Sequence, residues 1–339
     1  MVPSEVMRRR VPTGATKRAA RAYSSNMKRA IRWLLVGLSL LIVTTVAAAV
    51  WLWNDPASAF RLAMVAGQTN AGLTERTTEI DGRIWRFLDS EAPHPRNALV
   101  LHGLGTSAEA MMTIAPILRE THRVVIPDLP GFGEHAVHGT MAHDATFYID
   151  AIESFRAAQN LGEVDLIGTS MGGAFAAAYA AKYPQHVRRM VLLSPAGVTP
   201  PHVNEFMRRV IDGEIPLDIH DDASFAEVLR LNFPSPPPMP EPIRVEFVAR
   251  AVARRDAFLR IIEDLRPFLI NGVEPLMQDI DAPALVLYGK LDQLTDPSML
   301  AIWRFGLPKM EGEVLDGAGH VLLYDKPNEV AKRMREFLR

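Results

Sequence analysis

A serine between two glycines is the first feature of this sequence that could carry chemistry. Residues 168–172 read Gly-Thr-Ser-Met-Gly, directly after the apolar run 164–167 and before a small-residue helix predicted over 171–183. A G-x-S-x-G motif between a strand and a helix forms a sharp turn that exposes the serine hydroxyl above the sheet. The N-terminus of the following helix favours negative charge that develops there. The pattern therefore predicts that Ser170 is a nucleophile.

A serine hydroxyl is activated by a base, and the base is held by an acid. His320 ends a loop of glycine and alanine after the predicted strand 312–315, and Asp292 follows the predicted strand 284–288. Serine, acid and histidine then occur in the chain order that accompanies a G-x-S-x-G turn. We predict His320 as the base and Asp292 as the acid, with Asp296 as the second choice. Taken singly, each of these residues could also be a turn former or a surface side chain.

Two backbone N–H groups are candidates for stabilising an oxyanion. A His-Gly pair, beginning at His102, follows the predicted strand 98–101, and such a turn usually directs one N–H group towards the reacting carbonyl. We predict that the donors are the N–H groups of Leu104 and Met171, the latter directly after the nucleophile. His102 itself is predicted to be a structural hydrogen-bonding residue, and Asp128 a turn residue in the wall of the site.

These residues need a scaffold that brings strand ends together, and the sequence alternates apolar runs with helical patterns. The alternation predicts an α/β fold whose sheet is mostly parallel and covered by helices on both faces. The first two strands are close enough to form an antiparallel hairpin at Asp81-Gly82. The predicted strands are 75–80, 83–88, 98–101, 123–127, 164–167, 189–193, 284–288 and 312–315, and the predicted helices are 107–119, 143–160, 171–183 and 326–338.

One region interrupts the alternation and predicts a helical cap over the sheet. Residues 200–278 contain no convincing strand, and their segment 234–240 is too rich in proline for a helix interior or a central strand. Apolar residues in this region either pack the cap onto the body or line an acyl-binding pocket. The candidates for the pocket are Phe206, Phe225 and Leu229. The predicted helical patches are 203–212, 222–231 and 243–270.

The N-terminal part differs in composition from the predicted hydrolytic body at residues 75–339. Residues 1–32 hold nine basic side chains and one acidic one, which predicts a disordered basic arm. Residues 33–53 form an uncharged run of 21 residues with tryptophans near both ends, long enough for a transmembrane helix. A linker is predicted over 54–74. The positive-inside rule places the N-terminus in the cytoplasm and the body outside, on the periplasmic side in a bacterium. A signal peptide cleaved near residues 57–59 and a buried core helix are the alternatives.

Composition excludes several other function classes. The chain of 339 residues contains no cysteine, which excludes disulfides, thiolate metal sites and a cysteine nucleophile. The formal charge of −2 gives no sign of a nucleic-acid partner. The sequence has no H-x-x-x-H or H-E-x-x-H metal motif, and its Gly-x-Gly at 131–133 lacks the third glycine of a dinucleotide site. We therefore expect neither a metal nor a cofactor.

At these residues the sequence resembles the α/β-hydrolase superfamily. More narrowly, it is similar to membrane-anchored monoacylglycerol lipase-type serine hydrolases and their bacterial lipase and esterase relatives. The resemblance covers about residues 80–339 and is weakest in the cap. It implies the α/β-hydrolase fold, with Ser170 as nucleophile, Asp292 as acid, His320 as base, and Leu104 and Met171 as oxyanion donors. The matching segments are LVLHGLG, VVIPDLPGFGE, VDLIGTSMGGAFAAAYAAKYPQHVRRMVLLSPAGV, ALVLYGKLDQLTDP and GAGHVLLYDKPNEVAKRMREFL.

The predicted function is hydrolysis of carboxylic esters in lipid-like substrates such as monoacylglycerols, through an acyl-enzyme. The predicted anchor favours a membrane-partitioned substrate. Two other functions stay open from the sequence: C–C bond hydrolysis of aromatic ring-fission products with the same triad, and a non-catalytic binding protein of the same fold. The acyl-chain preference and the oligomeric state are not determined by the sequence.

Overall fold

The computed structural model describes residues 13–133 and 143–339. The chain divides into two compact units, Met1–Ala59 and Phe60–Arg339. The larger unit contains the sheet, the cap and every predicted site residue.

The N-terminal unit is dominated by one long helix, α1, Thr13–Asn54. Its segment Ile31–Asn54 has a mean hydropathy of 2.3 and is long and apolar enough to cross a membrane. The hydroxyl groups of Thr44 and Thr45 donate to carbonyl oxygens one turn earlier, so both are satisfied within the helix. By length and composition this segment, which includes the predicted run 33–53, is a candidate membrane span.

Two N-terminal segments differ from their predicted character. Residues 1–12 of the predicted disordered arm lie outside the described residues, and 13–32 belong to helix α1. Alanine, lysine and arginine recur in this segment, and all three have high helix propensity. The predicted linker contains helix α2, Pro56–Ala71. Asp55 caps it, because its carboxylate accepts a hydrogen bond from the Ser58 N–H at 3.0 Å, and proline suits the first helical position.

The described residues form an eight-stranded sheet with the order β1-β2-β4-β3-β5-β6-β7-β8. Strands β1, β2 and β4 pair antiparallel, and all other neighbours pair parallel. The mostly parallel eight-stranded sheet predicted from the sequence is therefore confirmed. The strands are β1 Thr74–Ile80, β2 Arg83–Asp89, β3 Arg96–Leu101, β4 His122–Pro127, β5 Val164–Thr169, β6 Val187–Leu193, β7 Ala284–Gly289 and β8 Met310–Leu315.

The first hairpin turns at the predicted dipeptide. Asp81 and Gly82 have φ values of 51° and 73°. Two positive φ values in a two-residue loop match the twist of the flanking strands, and aspartate and glycine tolerate that conformation. This turn fixes the β1–β2 register, in which Ile80 faces Arg83.

The core lies in two layers, one on each face of the sheet. Successive side chains of a strand point to opposite faces, so adjacent residues of β3 divide between the layers. Leu99 and Leu101 pack in one layer, and Ala98 and Val100 in the other. Both faces are apolar, which explains why the central strands read as continuous apolar runs.

Helices cover both faces of the sheet and build the cap. The body helices are α3 Ala115–Leu118, α4 Ala145–Ala158, α5 Met171–Lys182, α10 Met299–Gly306, α11 Leu322–Asp325 and α12 Pro327–Phe337, with 3₁₀ turns at Ala108–Ile114, Pro184–His186 and Glu274–Asp279. The cap helices, between β6 and β7, are α6 Glu205–Ile211, α7 Asp222–Asn232, α8 Glu241–Ala253 and α9 Arg255–Asn271.

The cap is helical as predicted, with one difference. The patch predicted over 243–270 is two helices, α8 and α9, which break at Arg254. No glycine or proline marks this break in the sequence. The Arg254 guanidinium donates to the Gly133 carbonyl of the body, and this tertiary contact lies at the bend. The proline-rich segment 234–240 connects α7 to α8 without regular structure.

Candidate active site

Ser170 stands at a strained turn between β5 and α5. Its φ and ψ are 52° and −119°, a conformation that L-residues adopt rarely and that costs about 1–3 kcal/mol. The strained backbone is held on both sides: the Ser170 N–H donates to the Leu193 carbonyl at 3.0 Å, and the Ser170 carbonyl accepts from Ala174 at 3.1 Å and Ala196 at 3.1 Å. The turn can keep this geometry because neighbouring strands and the helix fix it.

The two glycines of the motif are required by close packing. A Cβ at residue 168 would collide with the Gly172 carbonyl, and a Cβ at residue 172 would collide with the Leu101 carbonyl of β3. A side chain at either position would therefore push α5 away from the sheet. This explains why the spacing of the motif is tied to the strand–turn–helix context.

His320 and Asp292 meet at the ends of two neighbouring strands, β8 and β7. The imidazole Nδ1 of His320 lies 2.8 Å from Oδ2 of Asp292, and both residues are 5% exposed. Oδ1 of Asp292 accepts hydrogen bonds from the N–H groups of Leu294 at 2.9 Å and Thr295 at 3.0 Å. The carboxylate is thus oriented by the backbone before it reaches the histidine.

Asp296, the second choice for the acid, has other partners. Its carboxylate lies 2.9 Å from Nδ1 of His202 and accepts from the Ser298 N–H at 2.9 Å. Although burial opposes it, hydrogen bonds from Ser298 and His202 lower the pKa of Asp296. The structure therefore brings Asp292, and not Asp296, to His320.

The loop that carries His320 is fixed from the sheet and from the cap. The Leu291 N–H donates to the Ala318 carbonyl at 2.8 Å, and the His320 N–H donates to the Asn232 carbonyl of α7 at 3.0 Å. Asp325 accepts from the Gly319 N–H at 2.7 Å. Because α7 belongs to the cap, the position of the histidine depends on how the cap lies on the body.

Thr295 also contacts this pair, and the sequence reasoning missed it. Its Oγ1 lies 2.9 Å from Oδ2 of Asp292, 3.2 Å from Nδ1 of His320 and 3.1 Å from the Ser194 carbonyl. Thr295 therefore contacts both carboxylate oxygens of Asp292, Oδ1 through its backbone N–H group and Oδ2 through its hydroxyl group. In the sequence, a threonine three residues after an aspartate indicates only a turn. No sequence pattern therefore marks Thr295 as a functional residue.

The predicted oxyanion donors lie where the first turn of α5 meets the loop after β3. Met171 is the first residue of α5, so its N–H group has no carbonyl partner within the helix. Leu104 lies in the adjacent loop, which is closed by a hydrogen bond from Thr106 Oγ1 to the Gly103 carbonyl at 2.8 Å. Both residues line the same cavity as Ser170.

His102 and Asp128 have structural partners. The His102 imidazole is fully buried, contacts the Gly103 carbonyl at 2.9 Å and accepts from the Leu129 N–H at 3.0 Å. Burial lowers the pKa of His102, so the ring is held in its neutral form. Asp128 accepts from the Ala108 N–H at 2.8 Å. These contacts fix the loops around the site.

A narrow apolar cavity of about 90 Å³ opens at Ser170. Of the three predicted pocket residues, Phe206 lines it. Phe225 instead packs inside the cap against Phe247, with ring centroids 5.1 Å apart. Within the described part of the chain, the lining includes neither Phe225 nor Leu229. The lining residues are Leu104, Ser170, Met171, Ala196, Phe206, Met207, Val210, Glu214, Ile215, Pro216, Leu217, Ile262, Arg266, Leu269, Ile270, Leu294, Thr295 and Met299.

No group of three or more potential metal-ligating His, Asp or Glu side chains occurs in residues 13–133 and 143–339.

Comparison with known proteins gives concordant matches. The sequence profile of the alpha/beta hydrolase family matches residues 98–333. Lipase 1 of Psychrobacter immobilis is 25% identical over 240 residues, which cover 70% of this chain and 75% of that protein. Human monoacylglycerol lipase ABHD6 is 26% identical over 258 residues, covering 72% and 76%. The crystal structure of a membrane phospholipase A is similar with a TM-score of 0.80 and 31% identity, covering 91% of this chain and 98% of that one.

Proposed function

The chain belongs to the alpha/beta hydrolase family, and on that premise we propose that Ser170, His320 and Asp292 hydrolyse carboxylic esters of lipid-like substrates. The chain is a carboxylic ester hydrolase, as its lipase and monoacylglycerol lipase relatives support. The observation that carries the residue assignment is the buried 2.8 Å contact between His320 and Asp292, formed at the same end of the sheet as the strained turn of Ser170.

The first half of the reaction makes an acyl-enzyme. Ser170 Oγ attacks the ester carbonyl carbon while its proton passes to Nε2 of His320, and the carbonyl electrons move onto oxygen. The N–H groups of Leu104 and Met171 bind this oxyanion. When the tetrahedral species collapses, the alcohol leaves with the proton from His320, and the acyl group stays on Ser170.

The second half regenerates the serine. Water attacks the acyl carbonyl and gives its proton to His320, and collapse returns that proton to Ser170 as the carboxylic acid departs. Asp292 holds the Nδ1–H of His320, so that Nε2 is free to accept a proton and the imidazolium is stabilised. Its two backbone hydrogen bonds keep the carboxylate in this orientation throughout.

The apolar cavity supports a lipid-like acyl group. Its lining is mostly aliphatic and aromatic, and it lies directly at Ser170. Relatives named as lipases favour ester hydrolysis over C–C bond cleavage and over a non-catalytic role. Monoacylglycerols are therefore the first substrates to test.

The experiment compares bond types and the nucleophile together. We expect purified full-length protein to hydrolyse monoacylglycerols and p-nitrophenyl esters, and Ser170→Ala to lose this activity while it keeps its thermal unfolding temperature. Faster turnover of a ring-fission dienone than of any ester would favour the C–C hydrolase function. Undiminished ester hydrolysis by folded Ser170→Ala would refute the proposal.

For location, we infer that the candidate span anchors the protein with its hydrolytic unit outside the cytoplasm. The inference is supported by the basic residues before the apolar run and by the positive-inside rule. A C-terminal fusion to a reporter that works only outside the cytoplasm should be active, and a fusion to a reporter that works only in the cytoplasm should be inactive. Activity of a cytoplasm-dependent reporter would contradict this, and release of soluble protein would support the cleaved signal peptide.

A further inference from the structure

The loop between β3 and the 3₁₀ turn at Ala108–Ile114 carries Leu104, whose N–H group is a predicted oxyanion donor. This oxyanion loop, residues 102–107, lies against the nucleophile, because a Cβ at residue 103 would be only 3.4 Å from Cβ of Ser170. An oxyanion donor is effective when it lies about 2.7–3.1 Å from the developing charge. Even a small displacement of the loop therefore weakens this stabilisation.

Two carboxylates hold the end of the oxyanion loop that is farther from β3. Oδ1 of Asp128, which directly follows β4, accepts a hydrogen bond from the Ala108 N–H at 2.8 Å. Oε2 of Glu109 accepts a hydrogen bond from the hydroxyl group of Ser107 at 2.7 Å. Ser107 is the last residue of the loop, three positions after Leu104. The positions of these two carboxylates therefore constrain the path of the loop.

Both carboxylates meet at one guanidinium, that of Arg86 in β2. Its Nη1 donates to Oδ2 of Asp128 at 3.0 Å, and its Nη2 donates to Glu109 and, at 2.7 Å, to Glu75. The Arg86 carbonyl also accepts the Asp128 N–H at 2.9 Å, so the pairing of β2 with β4 fixes the arginine next to this carboxylate. A guanidinium has five N–H donors in a planar fork, which lets one side chain bind several carboxylates at once.

The charge of Arg86 matters because these groups have little contact with water. The side chain of Asp128 is fully buried, and those of Arg86 and Glu109 are 12% and 13% exposed. Although burial opposes it, the hydrogen bond and the charge of Arg86 lower the pKa of Glu109. Two such carboxylates repel each other when the cation that they share is removed. One of them would then move or take up a proton, and either change disturbs its contact with the loop.

We propose that Arg86 is a positioning residue, which holds the oxyanion loop where the Leu104 N–H can bind the oxyanion. It acts on the loop through Asp128 and Glu109. This inference rests on the proposed ester hydrolysis at Ser170 and adds to it a residue from a different part of the sheet.

The test uses two esters that differ in their need for an oxyanion site. One is p-nitrophenyl butyrate, and the other is its thiono analogue, in which sulfur replaces the carbonyl oxygen. Sulfur is a weak hydrogen-bond acceptor, so the thiono ester gains little from the N–H donors. The ratio of the two kcat values, oxo over thiono, therefore measures oxyanion binding. Both reactions of the full-length protein are followed by release of p-nitrophenol, and the thermal unfolding temperature verifies that each variant is folded.

The variants separate the charge of Arg86 from its shape. Arg86→Met removes the charge and keeps an unbranched apolar side chain, whereas Arg86→Lys keeps the charge but lacks the planar fork. Arg123→Met is the matched control. Arg123 pairs with the buried Asp89 at 2.7 Å, so this ion pair also joins β2 and β4, but Arg123 lies at the opposite end of β4 from Asp128.

We expect Arg86→Met to lower kcat for the oxo ester by about 10–100-fold with KM nearly unchanged, since removal of a whole oxyanion donor costs about 10²–10³. The thiono ester should lose less, so the oxo/thiono ratio should fall about tenfold. Arg86→Lys should recover part of the ratio. Arg123→Met should keep the wild-type ratio even if its unfolding temperature falls.

A wild-type ratio in folded Arg86→Met, or equal ratios in Arg86→Met and Arg123→Met, overturns the role of Arg86 while ester hydrolysis stands. If Arg86→Met does not fold, Asp128→Asn decides. Its amide oxygen can accept from Ala108 or from Arg86 but its NH₂ group can accept from neither, so the ratio should again fall, and a wild-type ratio there overturns the proposal. If Ser170→Ala hydrolyses both esters like wild type, the proposed function itself fails, which the ratio alone would not reveal.

Discussion

Replacement of Asp292 by asparagine should disable the base through its tautomer. In the structure, Oδ1 accepts the Leu294 and Thr295 N–H groups, and Oδ2 faces Nδ1 of His320 at 2.8 Å. The amide oxygen of the substituted asparagine would keep the two backbone donors, which turns its NH₂ group towards the histidine. His320 can then avoid a donor–donor contact only by carrying its proton on Nε2, where it cannot accept the proton of Ser170.

The expected loss is large and specific to kcat. A wrong tautomer in a serine–histidine–aspartate site lowers kcat by about 10⁴, and the burial of Asp292 gives water little opportunity to replace the carboxylate. We therefore expect Asp292→Asn to lower kcat for p-nitrophenyl butyrate by about 10³–10⁴, with KM nearly unchanged. The assay is initial-rate kinetics at several pH values, with the thermal unfolding temperature measured in parallel.

Asp296→Asn is the matched control, because its carboxylate faces His202 and Ser298. It should change kcat by less than about threefold, a surface-sized effect. A large loss in Asp296→Asn together with near-normal activity in Asp292→Asn would refute the assignment of the acid. If both variants lose activity because they unfold, the assignment of the acid is not refuted. The thermal unfolding temperature identifies that case.

Three further predictions follow from other contacts. Thr295→Val removes a hydroxyl that lies 2.9 Å from Oδ2 of Asp292, so kcat/KM should fall about 10–100-fold, as expected for the loss of a hydrogen bond to a charged group. Thr295→Ser should restore kcat/KM. Equal rates for Thr295→Val and wild type would contradict this. Phe206→Trp narrows the cavity at Ser170 and should shift the preferred p-nitrophenyl ester to a shorter acyl chain. For each CH₂ group that no longer fits, kcat/KM should fall about fourfold. Leu229→Trp should leave the chain-length profile unchanged, and an unchanged profile for Phe206→Trp would contradict the assignment of the acyl cavity. Hydrogen bonds from Arg156, with Tyr179 and His186, lower the pKa of Glu153 from 4.5 to about 2. This depressed pKa stabilises the fold above pH 4.5, and the stabilisation is lost as the pH falls towards 2. Denaturant unfolding should therefore show Glu153→Gln about 1 kcal/mol less stable at neutral pH, after discounting for solvent screening, with the difference closing at acidic pH; a constant difference would refute the linkage.

The sheet could be predicted because strands that are buried on both faces have a recognisable residue pattern. Strands such as β5 and β7 are covered on both faces, so they appear as continuous apolar runs, and all eight strands lie within a few residues of their predicted bounds. The carboxyl ends of parallel strands share one edge. For this reason loops that are distant in sequence, such as those of Asp292 and His320, could be expected to meet.

The cap could be predicted only coarsely. Its helical character follows from its pattern, but its break at Arg254 coincides with a contact to Gly133 that no local signal encodes. Phe225 and Phe206 look alike in sequence, yet Phe225 packs on Phe247 and Phe206 lines the cavity. The direction of an apolar side chain depends on how helices dock, and periodicity does not determine that. Helix α10 was not predicted, because its eight mostly apolar residues are too few to show a helical repeat of polar and apolar positions.

The central claim is that Ser170 is the residue that becomes acylated. The most direct measurement is peptide mapping by mass spectrometry after full-length protein reacts with a fluorophosphonate, in parallel with hydrolysis of a monoacylglycerol. We predict one adduct, on the peptide that contains Ser170, with activity lost in proportion to labelling and no adduct in Ser170→Ala. An adduct at another serine, such as the buried Ser194, or full hydrolytic activity in a completely labelled protein, would contradict the account.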